Sequence, residues 1–208
     1  MCTVLLYLAL HAFTRCDTTS AFKGVGKVKP IKLLQKNPRY QGVFQDLGQS
    51  WAVTEDLYLQ LEQFTCQRYR QKSAKVSKVN ELRYLMLTEK CGGVDKKLDA
   101  KKNFDLSSLP PPEVCLREHV KRVNYQVVIW KRGHVQNPEI PSPTDDNGWC
   151  LANGSIEPRW YEGDSLPPQL ADILQDLDES DTDQRESDDD EQSSDEDNIS
   201  DSDSDEDY

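Results

Sequence analysis

The chain has 208 residues and a formal charge of −12. The charge is uneven: 19 of the 37 acids lie between Asp172 and Tyr208 beside one base, Arg185, leaving 18 acids against 24 bases upstream, a net of +6. The longest N-terminal apolar run is far short of the roughly 20 residues of a membrane span, and six scattered cysteines are too sparse for a small disulfide scaffold.

Cys2, Cys16, Cys66, Cys91, Cys115 and Cys150 form no C-x-x-C pair, and no histidine stands at finger spacing. Structural zinc usually takes closely paired ligands, so zinc is not expected. Reduced thiols in a nuclear or cytoplasmic protein follow. No cofactor and no membrane partner are expected.

In chain order, residues 3–13 are apolar almost all round, which predicts a buried helix. A buried helix at the start of the chain suggests the later part of a longer domain. Asp17, Thr18, Thr19 and Ser20 follow, all of them capping residue types. Gly24-Val25-Gly26 supplies a tight turn, and a helix is predicted from Lys27 to Lys36 with Pro30 in its first turn. Lys23, Lys27, Lys29, Lys32, Lys36 and Arg39 are bases in a stretch without an acid. Outward N–H groups at a helix start favour an anion, and glycines let a phosphate come close. Gly24, Gly26, Lys27, Lys29 and Lys32 are therefore candidates for holding a nucleic-acid backbone without reading bases. A plain glycine turn with a solvated lysine face is the alternative.

A short helix holding Phe44 and Leu47 should stop at Gly48. The next, capped by Thr54, should run to about Arg70 with Leu57, Tyr58, Leu61 and Phe64 inward and Glu55 and Glu62 solvated. Residues 78–89 fit another helix, with Leu82, Leu85 and Met86 inward. Arg68, Arg70, Lys72, Lys75 and Lys78 form a second basic cluster, either a longer phosphate track or a solvated helix end. Cys91-Gly92-Gly93 breaks the pattern, and a Lys- and Asp-rich loop over 94–108 leads to the rigid Leu109–Pro112 segment. The longest helix spans 113–132, its apolar stripe formed by Leu116, Val120, Val123, Val127 and Trp130. His119, Tyr125 and Trp130 read as packed side chains. Beyond Gly133, prolines preclude long elements. Trp149 and Trp160 could pin this segment to the helices, and Asn153-Gly154 signals a small hairpin.

Pro167 and Pro168 introduce a last amphipathic stretch, a candidate docking helix. The tail from Asp178 lacks the apolar content to fold. Ser187, Ser194, Ser200, Ser202 and Ser204 each precede an acid by three residues and are candidate phosphorylation sites. The tail would suit a basic protein partner.

The order of apolar helix, Cys16-Asp17, Gly24-Val25-Gly26-Lys27 and basic helix resembles flap endonuclease/XPG-type (PIN-like) nucleases. The longer string His11-Ala12-Phe13-Thr14, Cys16-Asp17-Thr18-Thr19-Ser20 is similar to a group of functionally uncharacterised, transposon-associated animal proteins with an HA(F/L)TGCDTTS motif. Leu109-Pro110-Pro111, His119, Arg122, Asn124-Tyr125-Gln126, Trp130, Pro141-Ser142-Pro143 and Gly148-Trp149 extend that resemblance over about residues 8–160. It implies a mainly α fold: a helical fragment of a PIN/flap-endonuclease-like domain with a helix-hairpin-helix-type turn, then an irregular Pro/Trp-rich segment and a disordered acidic tail. The corresponding regions are 1–50, 51–132, 133–170 and 171–208.

The resemblance also places Asp17 at a metal-ligand aspartate of the nucleases and Gly24 and Gly26 at a DNA-contacting turn. Two departures stand out. Arg15 replaces a glycine of the pattern, and the upstream carboxylates of a two-metal site would precede residue 1. Several carboxylates are needed around such a metal pair, so Asp17 alone could not hold Mg²⁺ for hydrolysis. Helix capping is the simpler role for it. The expected function is a non-catalytic nucleic-acid-backbone or partner-binding protein. A Mg²⁺-dependent nuclease completed by upstream sequence, or an interaction scaffold with an acidic tail, are the alternatives. Oligomeric state is not legible.

Overall fold

A computed structural model describes residues 3–69, 76–90 and 106–161. The segments expected at 162–208, including the last amphipathic stretch, the acidic tail and its serines, lie outside the described residues, as do Arg70, Lys72, Lys75 and nearly all of the 94–108 loop.

The described chain is mainly helical: α1 (Thr3–Thr14), α2 (Val28–Lys36), α3 (Pro38–Asp46), α4 (Glu55–Tyr69), α5 (Val79–Lys90) and α6 (Glu113–Lys131), followed by a hairpin of β1 (Trp149–Ala152) and β2 (Ser155–Pro158). Local chemistry sets the boundaries. Pro38 opens α3 behind Asn37, whose side-chain oxygen accepts from the Arg39 N–H. Thr54 Oγ1 accepts from the Leu57 N–H at the start of α4. Pro112, held extended at ψ 153°, leads into α6.

Residues 1–50 and 51–132 do not form separate bodies. One apolar cluster draws on α1 through α6, and Met1–Glu162 is one compact unit. Helices α1 and α6 pack together, as do α1 with α3 and α3 with α4. Phe13 of α1 is the hub: its ring meets Phe22, Phe44, Phe64 and His119 at centroid distances of 5.5–5.9 Å. Truncating such a side chain costs about 3–5 kcal/mol. The expectation of a fully buried α1 needs correction. Leu6, Ala9, Leu10, Ala12 and Phe13 are buried against α2, α3 and α6, but Val4 and Leu5 are exposed.

Two glycines are required by geometry. Gly48 ends α3 with φ +78°, and a Cβ there would lie 2.5 Å from Val127 Cγ1. Gly148 has φ +82°, and its Cβ would meet the Glu118 carbonyl at 2.6 Å. Both let loops lie directly on α6. Asn124 completes the first approach, accepting from the Gly48 N–H and donating to the Ser50 and Trp51 carbonyls.

The hairpin pairs antiparallel, Trp149 opposite Pro158 and Ala152 opposite Ser155. Asn153 and Gly154, at φ +50° and +79°, form its turn; two left-handed central residues match the twist of the strands. Arg122 does more of the pinning than the tryptophans. Its Nη1 donates to the Gly148 and Arg159 carbonyls, while Trp149 is half-buried and Trp160 exposed beside the Arg122 guanidinium. Tyr125 Oη donates to the Pro141 carbonyl and holds the proline-rich segment.

Candidate nucleic-acid interface

The glycine turn is built on the end of α1. Thr14 Oγ1 donates back to the Leu10 carbonyl, and Arg15 then leaves the helix at φ +151°, a conformation that glycine adopts more readily. Arg15 thus stands strained where the resembling pattern carries glycine. Cys16 and Thr19 form a bridge. Thr19 Oγ1 donates to the Ala12 carbonyl and accepts from the Cys16 N–H, and Thr18 Oγ1 donates to Gln126 Oε1 of α6.

Asp17, between them, is exposed, and among the described residues it has no hydrogen-bond or ion-pair partner. The expected capping role is not what is found, because no helix begins at Asp17; α2 starts eleven residues later at Val28. Among the described residues, no three His, Cys, Asp or Glu side chains gather closely enough to hold a metal ion.

Beyond Phe22, which is buried, the chain turns outward. The Val25 N–H donates to the Phe22 carbonyl, and Arg68 Nη2 reaches from α4 to the Val25 carbonyl at 3.1 Å. The turn therefore rests on a buried guanidinium, which also lies 4.2 Å from the Phe22 ring centre. Burial pushes the Arg68 pKa down to about 10. Gly24 has φ +73°, whereas Gly26 has no positive φ, and a Cβ at either would have nothing within 4 Å. Packing demands neither glycine, and only Gly24 is demanded by backbone conformation.

Helix α2 begins without a side-chain cap on its N-terminal amides. Pro30 and Leu34 face the core, while Lys29, Lys32 and Lys36 are exposed and unpaired among the described residues. Lys27 differs. Its Nζ sits 2.5 Å from His11 Nδ1 and donates to the Arg15 carbonyl, tying the start of α2 to the end of α1. His11 in turn stacks on Trp130. Gly24, Gly26, Lys29 and Lys32 are thus each exposed at the turn and on α2, and Lys27 ties the start of α2 to the end of α1.

The second basic cluster is not a phosphate track where it is described. Arg68 is 1% exposed, turned inward to the Val25 carbonyl. Lys78 pairs with Glu62 at 3.1 Å. Glu62 itself corrects the expectation of a solvated side chain: it is fully buried and accepts from the Val79 N–H, capping α5 from α4. The bases of α6 are also committed. Arg117 forks onto Glu55, pairs with Glu113 and covers the Tyr58 ring, so the Glu55 carboxyl, although exposed, is lowered from its ordinary value by that hydrogen bond. Lys121 bridges Glu118 and Asp146, and Lys131 donates to the Gln45 and Leu47 carbonyls at the end of α3.

His119 is a packed histidine. Its Nε2 donates to the Phe13 carbonyl at 3.0 Å between the Phe13 and Phe22 rings, and burial pushes its pKa down to about 4. The motif residues behind the resemblance accordingly meet one another. His119 bonds Phe13, Gln126 bonds Thr18, Tyr125 bonds Pro141 and Arg122 bonds Gly148, while Pro110 is held by Arg83 Nη1 from outside the motif. They are polar joints between distant segments. The sequence reading missed the joints at Glu62, Arg68 and Arg122. Glu62 lies one turn from both Tyr58 and Thr65, a spacing that could have marked an inward carboxylate.

The four described cysteines, Cys16, Cys66, Cys115 and Cys150, are free thiols. No described helix is long and apolar enough to cross a membrane. No protein-family model, curated protein or solved structure matches this chain. The likeness to flap-endonuclease-type nucleases rests on the residues quoted above.

Proposed function

We propose that this protein is a non-catalytic binder of nucleic-acid backbone, built from a nuclease-like domain, with the Gly24–Lys32 surface as its grip. The observation that carries this is Gly26, which has neither a positive φ nor a neighbour a side chain would strike. The fold does not need glycine there, whereas a phosphate approaching bare amides does. Uncapped α2 amides and the exposed Lys29, Lys32 and Lys36 supply partial and full positive charge around it. Gly24 sets the turn, and Lys27 and Arg68 hold it from behind.

In this reading Asp17 contributes no metal chemistry, and Mg²⁺ is not required. The acidic segment after Asp172 recruits a basic protein partner, and phosphorylation at Ser187, Ser194, Ser200, Ser202 or Ser204 strengthens it by adding charge. A nuclear or cytoplasmic location fits such partners. The test is Gly26→Ala in the full chain, with duplex DNA affinity measured by fluorescence anisotropy and stability by urea denaturation. The expected result is at least about tenfold weaker binding with stability unchanged or raised by about 0.4–1 kcal/mol. Unchanged affinity would refute the grip.

A further inference from the structure

A second feature adjoins the glycine turn, with Ser20–Lys23 forming part of its wall. A cleft of about 470 Å³ opens between the Leu109–Pro112 lead-in, the start of α6 and the end of the hairpin segment. Its walls are mostly apolar, with Phe22, Leu109, Pro111 and Trp160 among them, and Lys23, Arg83 and Arg122 also line it. No carboxylate does. The nearby Glu118 is turned to Lys121. This size and lining are those of a small-molecule pocket: an apolar body with a few placed polar groups.

Arg122 identifies the ligand chemistry. It is 1% exposed, and its Nε is buried with no hydrogen-bond partner. Its Nη1 is fully used by the Gly148 and Arg159 carbonyls. The Nε–Nη2 edge remains without a partner; Nε is closed to solvent in this structure, so a carboxylate takes that planar edge side-on, through two parallel hydrogen bonds, once the side chain shifts toward the cleft. Among the described residues Arg122 makes no direct ion pair; the carboxylate that acts on it is Glu118, which does not line the cleft and gives its Oε1 to Lys121. A buried cation is costly unless an anion joins it. Arg83, with only Nη1 committed to the Pro110 carbonyl, adds a second cation on the same cleft. Trp160, exposed over Arg122, offers a flat face to the rest of the ligand.

We infer that this cleft binds a small organic carboxylate with an aromatic or apolar body, its acid group on the Nε–Nη2 edge of Arg122 and its body against Trp160 and Phe22. Gly24, Gly26, Lys29 and Lys32 do not line the cleft, although the Ser20–Lys23 segment before them does, so the probe and variants below are chosen to leave the glycine turn and the α2 lysines unaltered.

The test uses the full chain and naphthalene-2-carboxylate as probe, with its neutral carboxamide as control. Binding is followed by shifts of the Trp160 indole and arginine Nε–H resonances. Expected are saturable shifts at Trp160 and Arg122 and about tenfold or more weaker binding of the carboxamide, the size of one charge-assisted hydrogen bond. Arg83→Gln and Trp160→Ala should each weaken the carboxylate severalfold while the fold is retained. Cys115, on the cleft wall, should be alkylated by iodoacetamide more slowly with the probe bound. 1-Naphthyl phosphate distinguishes the acid: weaker binding than the carboxylate supports the planar side-on contact, and tighter binding overturns the assignment to a carboxylate. Equal affinity for acid and amide, absence of shifts up to the probe's solubility limit, or shifts confined to α2 would each overturn it.

Discussion

His119 makes the stability of this fold depend on acid, and the size of the effect follows from its surroundings. The ring is wedged between Phe13 and Phe22, with Arg122 and Arg68 as nearby positive charges, and its Nε2–H is given to the Phe13 carbonyl. Burial pushes its pKa from 6.5 down to about 4. The folded state therefore holds fewer protons than the unfolded state between these values, so stability rises with pH across the window and is lost on acidification. The contribution is fully present above the unfolded value. It falls by about 2 kcal/mol at pH 5 and about 3 kcal/mol at pH 4, from 1.36 kcal/mol per unit. That is a large share of the roughly 5–15 kcal/mol of a typical domain. The assay is urea denaturation at a series of pH values for the native chain and His119→Gln, which keeps a donor for the Phe13 carbonyl but does not titrate. The native chain should lose about 2 kcal/mol more than the variant between pH 7 and pH 5. A histidine NMR titration supplies an independent readout, with His119 remaining neutral to about pH 5. Parallel pH profiles, or an imidazole titrating near its ordinary value, would show that His119 is not the source of the acid sensitivity.

Three further outcomes are expected, all readable by chemical denaturation. Gly48→Ala should destabilise by about 2–4 kcal/mol, combining a strained φ with a clash against Val127 on α6; a loss below about 0.5 kcal/mol would contradict the close approach. Arg15→Gly should stabilise by about 1 kcal/mol, because it relieves the φ of +151° while the Arg15 carbonyl still accepts from Lys27. Glu62→Ala should cost about 2–3 kcal/mol by leaving the Val79 N–H without its cap, and Glu62→Gln, which keeps an acceptor, about 1 kcal/mol; equal losses would argue against the capping role.

Much of the fold was legible because its signals are local. The apolar stripe of α6, the Thr54 and Pro112 starts, the stop at Gly48 and the Asn153-Gly154 hairpin all follow from periodicity or turn chemistry. Buried charges were not legible. Glu62, Arg68 and Arg122 point inward because backbone groups tens of residues away need partners there: the Val79 amide, the Val25 carbonyl and the Gly148 carbonyl. The i−4 and i+3 spacing of Tyr58 and Thr65 around Glu62 is a faint local sign of its inward turn, whereas no local pattern encodes the need that Arg68 and Arg122 meet. The same applies to Lys27, which was expected to face a phosphate and instead braces α1. Asp17 shows the opposite failure: its residue type suits a cap, but no helix begins where it stands. At the candidate grip, the glycines and exposed lysines were visible in sequence, whereas the buried Arg68 beneath the turn was not.

If the Gly24–Lys32 surface holds a nucleic-acid backbone through charge, DNA binding must depend on salt. With Lys29, Lys32 and Lys36 facing phosphates, log affinity for duplex DNA should fall with log salt at a slope of about −3. Lys29→Glu with Lys32→Glu should bring that slope to about −1 or abolish binding, with urea stability unchanged because both side chains are exposed. A slope near zero in the native chain, or one unaltered by the double reversal, would contradict the claim.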